Sequence, residues 1–268
     1  MHAIVCIKQV PDTSEVKIDP ERGTLIREGV PSIINPFDTY AIEEALRLKE
    51  QFDGKVTVIC MGPPQAREAL KEAVAMGCDD AILISDRKFA GSDTWATAYT
   101  LAQTIRKIGA FDVILCGKQA IDGDTGQVGP GIARQLGITQ LTYVFKIQRI
   151  DFDAKTIRVE RLLEEGREVV QSQLPALITV VKDINQPRYP NFKGIRRANR
   201  MEIPVWTAEM LPEAKPELLG LDGSPTRVVK IFRPAVARQC EKVLAGDEQA
   251  VQAATEKLVD FLRTKELM

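Results

Sequence analysis

The sequence predicts an α/β fold: a doubly wound, mostly parallel sheet with an antiparallel extension and a C-terminal arm that ends in a helix. Three features lead there. Through the first half, short apolar runs (Ala3 to Val10, Lys55 to Cys60, Ala81 to Ile84, Phe111 to Cys116) alternate with stretches of helical spacing, the pattern of parallel strands covered on both faces. From Leu141 that alternation stops and β-type runs follow one another closely. After Asp183 clear periodicity is lost until a last amphipathic stretch, Asp247 to Leu267. The expected division is an α/β domain over residues 1–185, then a loop and arm over residues 186–268.

In order, Ala3 to Val10 reads as a buried strand. Val16-Lys17-Ile18 and Thr24-Leu25-Ile26 flank the turn residues Asp19-Pro20-Glu21-Arg22-Gly23, which suggests a small hairpin. Asn35-Pro36-Phe37-Asp38 is a helix start: Asn35 suits the cap, Pro36 the first helical position, and Asp38 the positive helix end. Ala41, Ile42, Ala45, Leu46 and Leu48 give that helix its apolar stripe. Lys55 to Cys60 turns through Met61-Gly62-Pro63-Pro64 into a helix from Gln65 to Ala75 that ends at Gly77. A strand at Ala81 to Ile84, a helix from Asp93 to Ile108 and a strand at Phe111 to Cys116 follow. A glycine-rich loop from Gly117 to Gly131 then leads into a helix to Gly137. Tyr143 to Ile150, Thr156 to Leu163, Glu168 to Gln173 and Ala176 to Val181 read as strands of the antiparallel extension. Gln186 to Met201 reads as irregular and basic, with Arg188, Lys193, Arg196, Arg197 and Arg200, and Pro204 to Pro234 as extended. So long an irregular tract is unusual inside a compact domain; it is expected to lie across a partner subunit.

The chain has 268 residues, 44% hydrophobic and 27% charged, too apolar for disorder as the main state. Lys plus Arg total 36 and Asp plus Glu 37, a net charge of −1. That disfavours a nucleic-acid binder, whose affinity rests on many phosphate contacts. The single histidine is His2, which argues against histidine triads, histidine bases and a histidine metal site; no metal is expected. Cys6, Cys60, Cys78, Cys116 and Cys240 form no C-x-x-C pair. Most sit in apolar runs and read as buried thiols of a reducing compartment. No basic leader precedes the first strand, and no apolar run approaches the roughly twenty residues that span a bilayer. A soluble, cytoplasmic protein without membrane insertion is expected.

The strongest local feature is the loop that follows the fourth strand, Gly117-Lys118-Gln119-Ala120-Ile121-Asp122-Gly123-Asp124-Thr125-Gly126-Gln127-Val128-Gly129-Pro130-Gly131. In a parallel sheet this lies at the carboxyl edge, where ligands bind. Glycines let backbone N–H groups approach an anion, and the following helix adds a partial positive charge. A phosphate or pyrophosphate is the natural guest; a plain glycine-rich surface turn is the alternative. Asp122 and Asp124 repel phosphate and can instead cap N–H groups, accept ribose hydroxyls or hold a cation. Neither G-x-x-x-x-G-K-[ST] nor G-x-G-x-x-G after the first strand is present. Residues 35–38 and 61–65, with Cys6 and Lys8, converge on the same crevice if the sheet is doubly wound. Lys8 reads either as a phosphate contact or as an ordinary surface lysine, and Phe37 either as a stacking partner or as core. The basic tract reads either as a docking surface or as a solvated loop. No side chain is expected to act as nucleophile or acid.

These residues closely resemble the β subunit of electron-transfer flavoproteins over nearly the whole chain. The resemblance is carried by Val5-Cys6-Ile7-Lys8-Gln9-Val10-Pro11-Asp12, Asn35-Pro36-Phe37-Asp38 with Ala41-Ile42-Glu43-Glu44-Ala45, Met61-Gly62-Pro63, Ala75-Met76-Gly77 and Gly117 to Asp122. It continues from Val159 through Thr179 to Pro187-Arg188-Tyr189. It implies a Rossmann-like nucleotide-binding domain, a heterodimer with an FAD-carrying α subunit, and an arm that reaches onto α. In respiratory members the crevice holds AMP. In electron-bifurcating members of anaerobes it holds a second FAD, which NADH reduces and whose electrons go to the α-subunit FAD and to ferredoxin or flavodoxin. By position, the cofactor contacts implied are Cys6, Lys8, Asn35, Phe37, Asp38, Met61 and Asp122, Gly123, Asp124, Thr125, Gly126, Gln127, Val128, Gly129 and Pro130. The recognition loop that docks a flavin-containing acyl-CoA or related dehydrogenase falls on Tyr189, Pro190, Asn191, Phe192, Lys193, Gly194, Ile195, Arg196 and Arg197. The small residues from Gly123 to Pro130 resemble the bifurcating type and leave space for a dinucleotide.

Overall fold

The fold is described from a computed structural model, which covers residues 1–12, 17–18, 25–26, 31–229 and 242–268. β1 (His2–Ile7) sends Ala3, Val5 and Ile7 to one face and Ile4 and Cys6 to the other, all buried. An apolar run with no polar alternation is what a strand covered on both sides requires. The chain then breaks into β2 (Gln9–Pro11), so the first strand is shorter than the apolar run suggests. β3 (Lys17–Ile18) and β4 (Leu25–Ile26) pair antiparallel where the hairpin is expected; its turn, Asp19 to Gly23, and Val16 and Thr24 lie outside the described residues. β5 (Ser32–Ile34) pairs antiparallel with β2.

The predicted alternation follows as α1 (Pro36–Phe52), β6 (Lys55–Met61), α2 (Arg67–Met76), β7 (Asp80–Ile84), α3 (Thr94–Ile108), β8 (Val113–Gly117) and α4 (Val128–Leu136). α4 begins three residues before the expected loop end at Gly131: Pro130 lacks only an N–H that a first turn leaves unpaired, and Gly131 N–H already reaches Gln127 carbonyl at 2.9 Å. β9 (Thr139–Asp151), β10 (Thr156–Leu163) and β11 (Gly166–Gln173) form the antiparallel extension. β12 (Ala176–Val180) instead joins the parallel sheet, between β8 and the first residues of β9.

The tract expected to be irregular contains a helix, α5 (Phe192–Arg200). Its sequence hides it because its faces are basic rather than apolar, yet Asn191 caps it, the side chain accepting from Gly194 N–H at 2.8 Å. α5 packs on α2: Gly194 leaves no room for a side chain against Ala75, and Arg197 donates to the carbonyls of Val74 and Cys78 at the end of α2. β13 (Val205–Trp206) then adds parallel to β7, and Leu211 and Leu219 are buried in the core beneath it. The described residues up to Val229 form one compact unit, and those of 242–268 belong to a second. Within the second, α6 (Glu248–Thr264) is capped by Asp247, which accepts from Ala250 N–H at 2.8 Å.

The main sheet has nine strands in the order β11-β10-β9-β12-β8-β1-β6-β7-β13. From β1 the chain winds outward through β6 and β7, then returns to the other side of β1 at β8. α1 and α2 cover the face of Ala3, Val5 and Ile7; α3 and α4 cover that of Ile4 and Cys6. The winding reverses between β1 and β8, and their carboxyl ends open a crevice there. No helix among the described residues is long and apolar enough to cross a membrane. Cys6, Cys60, Cys78 and Cys116 are free and buried as expected; Cys240 lies outside the described residues.

Candidate functional site

The crevice floor is made by β1 and β8, where Cys6 and Cys116 are register partners. The neighbouring Cys6 thiol and burial together hold the Cys116 thiol well above the ordinary range. Above them the Asn35 to Asp38 segment crosses the strand ends. Asp38 accepts the backbone N–H of Lys8, just past β1, at 2.7 Å and of Gly117, the last residue of β8, at 3.1 Å, joining the two strand ends. Burial pushes its carboxyl up to about 7, against the hydrogen bonds from Lys8, Asn35 and Gly117. Gly117 is required here: a Cβ would run into Asp38 and into the Phe37 backbone.

Asn35 departs from the expected role. It stands at the N-cap position of α1, but its side chain makes no cap bond. It donates to Gln119 carbonyl at 2.8 Å and accepts Ile121 N–H at 3.1 Å, so it pins the start of the glycine loop. It can do so because it is 1% exposed and faces that loop rather than the helix. Phe37 is half-buried, with the Lys118 ammonium 5.0 Å from its ring centre. Met61 is half-buried against the α3 side of the core.

Both loop carboxylates are engaged. Asp122 takes Lys8 Nζ on both oxygens, at 2.6 and 2.8 Å, and Asp124, at φ +50°, accepts from Gln119 Nε2 at 2.7 Å. Gln127 accepts from Thr94 Oγ1 at 2.9 Å, which ties the loop to the start of α3. Gly123 faces open space. The N–H groups of Thr125, Gly126, Gln127, Val128 and Gly129 have no partner among the described residues, and Gln127 supplies no side-chain cap to α4. Five successive free donors running into a helix N-terminus make an anion-binding concavity. The sequence-predicted residues Cys6, Lys8, Asn35, Phe37, Asp38 and 122–130 are thus gathered at one sheet edge. Thr94, Tyr143 and Thr179, which also border the loop, carry no sequence signal that sets them apart.

A second cluster ties α1 to the predicted docking segment. Arg188 donates to Glu43 through Nε at 2.8 Å and through its backbone N–H at 3.1 Å, and it pairs with Glu50. Burial acts to raise the Glu43 carboxyl, but the hydrogen bonds from Arg188 and Arg47 hold it below the usual range. Asn185 donates to Glu44 at 3.0 Å and to Tyr40 carbonyl at 3.0 Å, and burial raises the Glu44 carboxyl. Beyond this anchor Tyr189 is 94% and Phe192 81% exposed. Lys193, Arg196 and Arg200 on α5 add positive charge to the same segment.

The electron transfer flavoprotein domain matches residues 22–211. An electron transfer flavoprotein subunit beta of Thermoanaerobacterium thermosaccharolyticum is 52% identical over 259 residues, 96% of this chain and 98% of that protein. One from Megasphaera elsdenii is 50% identical over 275 residues and the whole of both chains. The caffeyl-CoA reductase-Etf complex subunit CarD of Acetobacterium woodii is 47% identical over 269 residues, again covering both chains in full.

Proposed function

The chain belongs to the electron transfer flavoprotein family as a β subunit, and from that premise we propose that its crevice binds FAD, that NADH is the electron donor, and that the protein bifurcates electrons. The observation that carries this is the run of free N–H donors from Thr125 to Gly129 beside open space at Gly123. Spread over five residues, it can meet two adjacent phosphates of a dinucleotide, with the N-terminus of α4 adding its partial charge. When bound on residues 125–129, the flavin would supply the redox chemistry, namely hydride acceptance from NADH and one-electron delivery to two acceptors, the α-subunit FAD with its dehydrogenase and ferredoxin or flavodoxin.

The chain's own residues bind and orient. Asn35 and Asp38 fix the loop against the strand ends, and Lys8, paired with Asp122 of the loop, supplies a cation for the phosphate. The paired thiols of Cys6 and Cys116 give the floor a neutral, apolar surface. On the docking side, Arg188 holds the segment that presents Tyr189, Phe192 and the basic face of α5 to an acidic, flavin-containing dehydrogenase. The resemblance to a subunit of a caffeyl-CoA reductase complex supports a CoA-ester reductase or dehydrogenase as that partner.

A second reading has its own support. Asp122 and Asp124 place two carboxylates at the outer part of the loop, which favours a single phosphate and hence AMP as a structural ligand, with electrons passing only through the α-subunit FAD. Releasing and counting the nucleotides of the purified αβ complex separates the two. Two FAD and no AMP per heterodimer support the bifurcating reading, while one FAD and one AMP overturn it.

A further inference from the structure

Tyr143 has φ +57° inside a strand. For a bulky aromatic residue the left-handed region is a genuine outlier that persists only where the surroundings enforce it. Here a bulge enforces it. Leu141 pairs with Ile178 and Val144 with Val180, so β9 runs three residues while β12 runs two. Bulges of this kind re-aim side chains next to binding sites. Arg161 locks the bulge, donating to Thr142 carbonyl at 2.8 Å and to Thr142 Oγ1 at 2.9 Å. Tyr143 N–H leaves the strand ladder and donates to the buried Thr179 Oγ1 at 3.1 Å.

Packing does not account for this strain, because Tyr143 is 42% exposed and buries little in return. What the bulge achieves is placement. The phenol hydroxyl comes within 4.0 Å of where a Cβ on Gly126 would stand, and it makes no hydrogen bond among the described residues. Thr179, which holds the Tyr143 backbone, also touches the first turn of α4: a Cβ on Gly129 would lie 2.7 Å from its methyl group. The Tyr143 hydroxyl thus stands beside Gly126, and the threonine that holds its backbone abuts Gly129.

We propose that Tyr143 is a ligand-contacting residue of the crevice, its hydroxyl donating a hydrogen bond to a phosphate oxygen of the nucleotide seated on residues 125–129. This rests on the nucleotide-site reading above but not on the choice between FAD and AMP, which share the adenosine 5′-phosphate.

The test uses the full chain in complex with its α subunit, stripped of crevice nucleotide, and titrates adenosine, AMP and FAD into wild type, Tyr143→Phe and Tyr143→Gly. The Phe variant should weaken AMP and FAD about three- to tenfold, the loss of one hydrogen bond, and leave adenosine unchanged. The Gly variant should weaken AMP and FAD at least as much, yet melt about 2–4 °C higher without ligand, because glycine adopts this φ without strain. Equal phosphate-ligand affinity in wild type and the Phe variant overturns the Tyr143 assignment alone. An equal loss for adenosine does the same, since it moves the contact away from phosphate. Failure of wild type to bind either AMP or FAD overturns the site reading and this assignment together.

Discussion

Lys8 and Asp122 close on each other across the mouth of the crevice, the ammonium meeting both carboxylate oxygens at 2.6 and 2.8 Å. If the crevice takes an anion as proposed, this pair is a charge contact that the anion meets. A phosphate reaching Lys8 must compete with Asp122, so the pair weakens binding of the very ligand the lysine attracts. Lys8→Ala should reduce nucleotide affinity about tenfold and Asp122→Asn should raise it about threefold, both effects shrinking as salt screens the charges. Isothermal titration at two ionic strengths reads both. A drop in affinity for Asp122→Asn would mean that this carboxylate holds the ligand itself.

Asp38 makes stability pH-dependent in an unusual direction for a carboxylate. Its folded value, pushed to about 7 by burial, lies above an unfolded value near 4. The folded state therefore keeps a proton that the unfolded state releases between about pH 4 and pH 7. Stability from this group is full below pH 4, falls through that window and is level above it. Asp38→Asn removes the titration, and the slope of melting temperature over pH 4–7 should flatten. An unchanged slope in the variant would assign the dependence to other groups.

Arg188→Ala leaves Glu43 buried without its main partner. The expected cost is on the order of 2 kcal/mol, less than for a fully buried pair because Arg188 reaches solvent. Glu43's contribution is present above the ordinary glutamate range and is lost as pH falls through its depressed folded value, so the gap between variant and wild type should narrow in acid. Denaturant unfolding at pH 7 and at pH 4 checks both statements.

Tyr189→Ala and Phe192→Ala should leave stability within about 0.5 kcal/mol, since both side chains are almost wholly exposed. Electron transfer to the partner dehydrogenase should fall severalfold in each, with the crevice nucleotide retained. Normal transfer in the double variant would remove this segment from the docking surface.

Gly129→Ala would drive a Cβ to 2.7 Å from the Thr179 methyl and displace the first turn of α4 from β12. A cost of about 1–3 kcal/mol is expected, together with loss of crevice nucleotide. Pairing it with Thr179→Ser, which removes the methyl and keeps the hydroxyl, should restore much of both. Failure of that rescue would show that the close approach to Thr179 is not what makes glycine necessary.

The parallel half of the sheet was legible because strands buried on both faces are continuous apolar runs, and the crevice because a glycine-rich loop followed one of them. The antiparallel β9 to β11 were legible from their spacing, but the insertion of β12 beside β8 was not. A parallel pairing over residues 139–141 and 176–178 leaves no local mark. α5 was missed because its surface is basic and its contact with α2 runs through Gly194, Ala198 and one guanidinium, none of which makes an apolar stripe. Asn35 carried a capping signature, yet long-range contacts with Gln119 and Ile121 took its side chain instead. The bulge at Tyr143 follows from Arg161, eighteen positions away, which sequence periodicity cannot connect to it.

α1 meets the glycine loop through Asn35 and Asp38 at its start, and Asn185 and Arg188, which lead into the proposed docking segment, through Glu43, Glu44 and Glu50 farther along. Asp38 and Glu43 are separated by about 7.5 Å of helical rise. One rod is thus the common ruler for two surfaces that have no other reason to keep step. A residue inserted between positions 38 and 43 would turn the downstream part by about 100°, leaving the crevice end in register while Glu43 and Glu44 swing away from Arg188 and Asn185. Helix α1 therefore tolerates substitution far better than it tolerates a change of length.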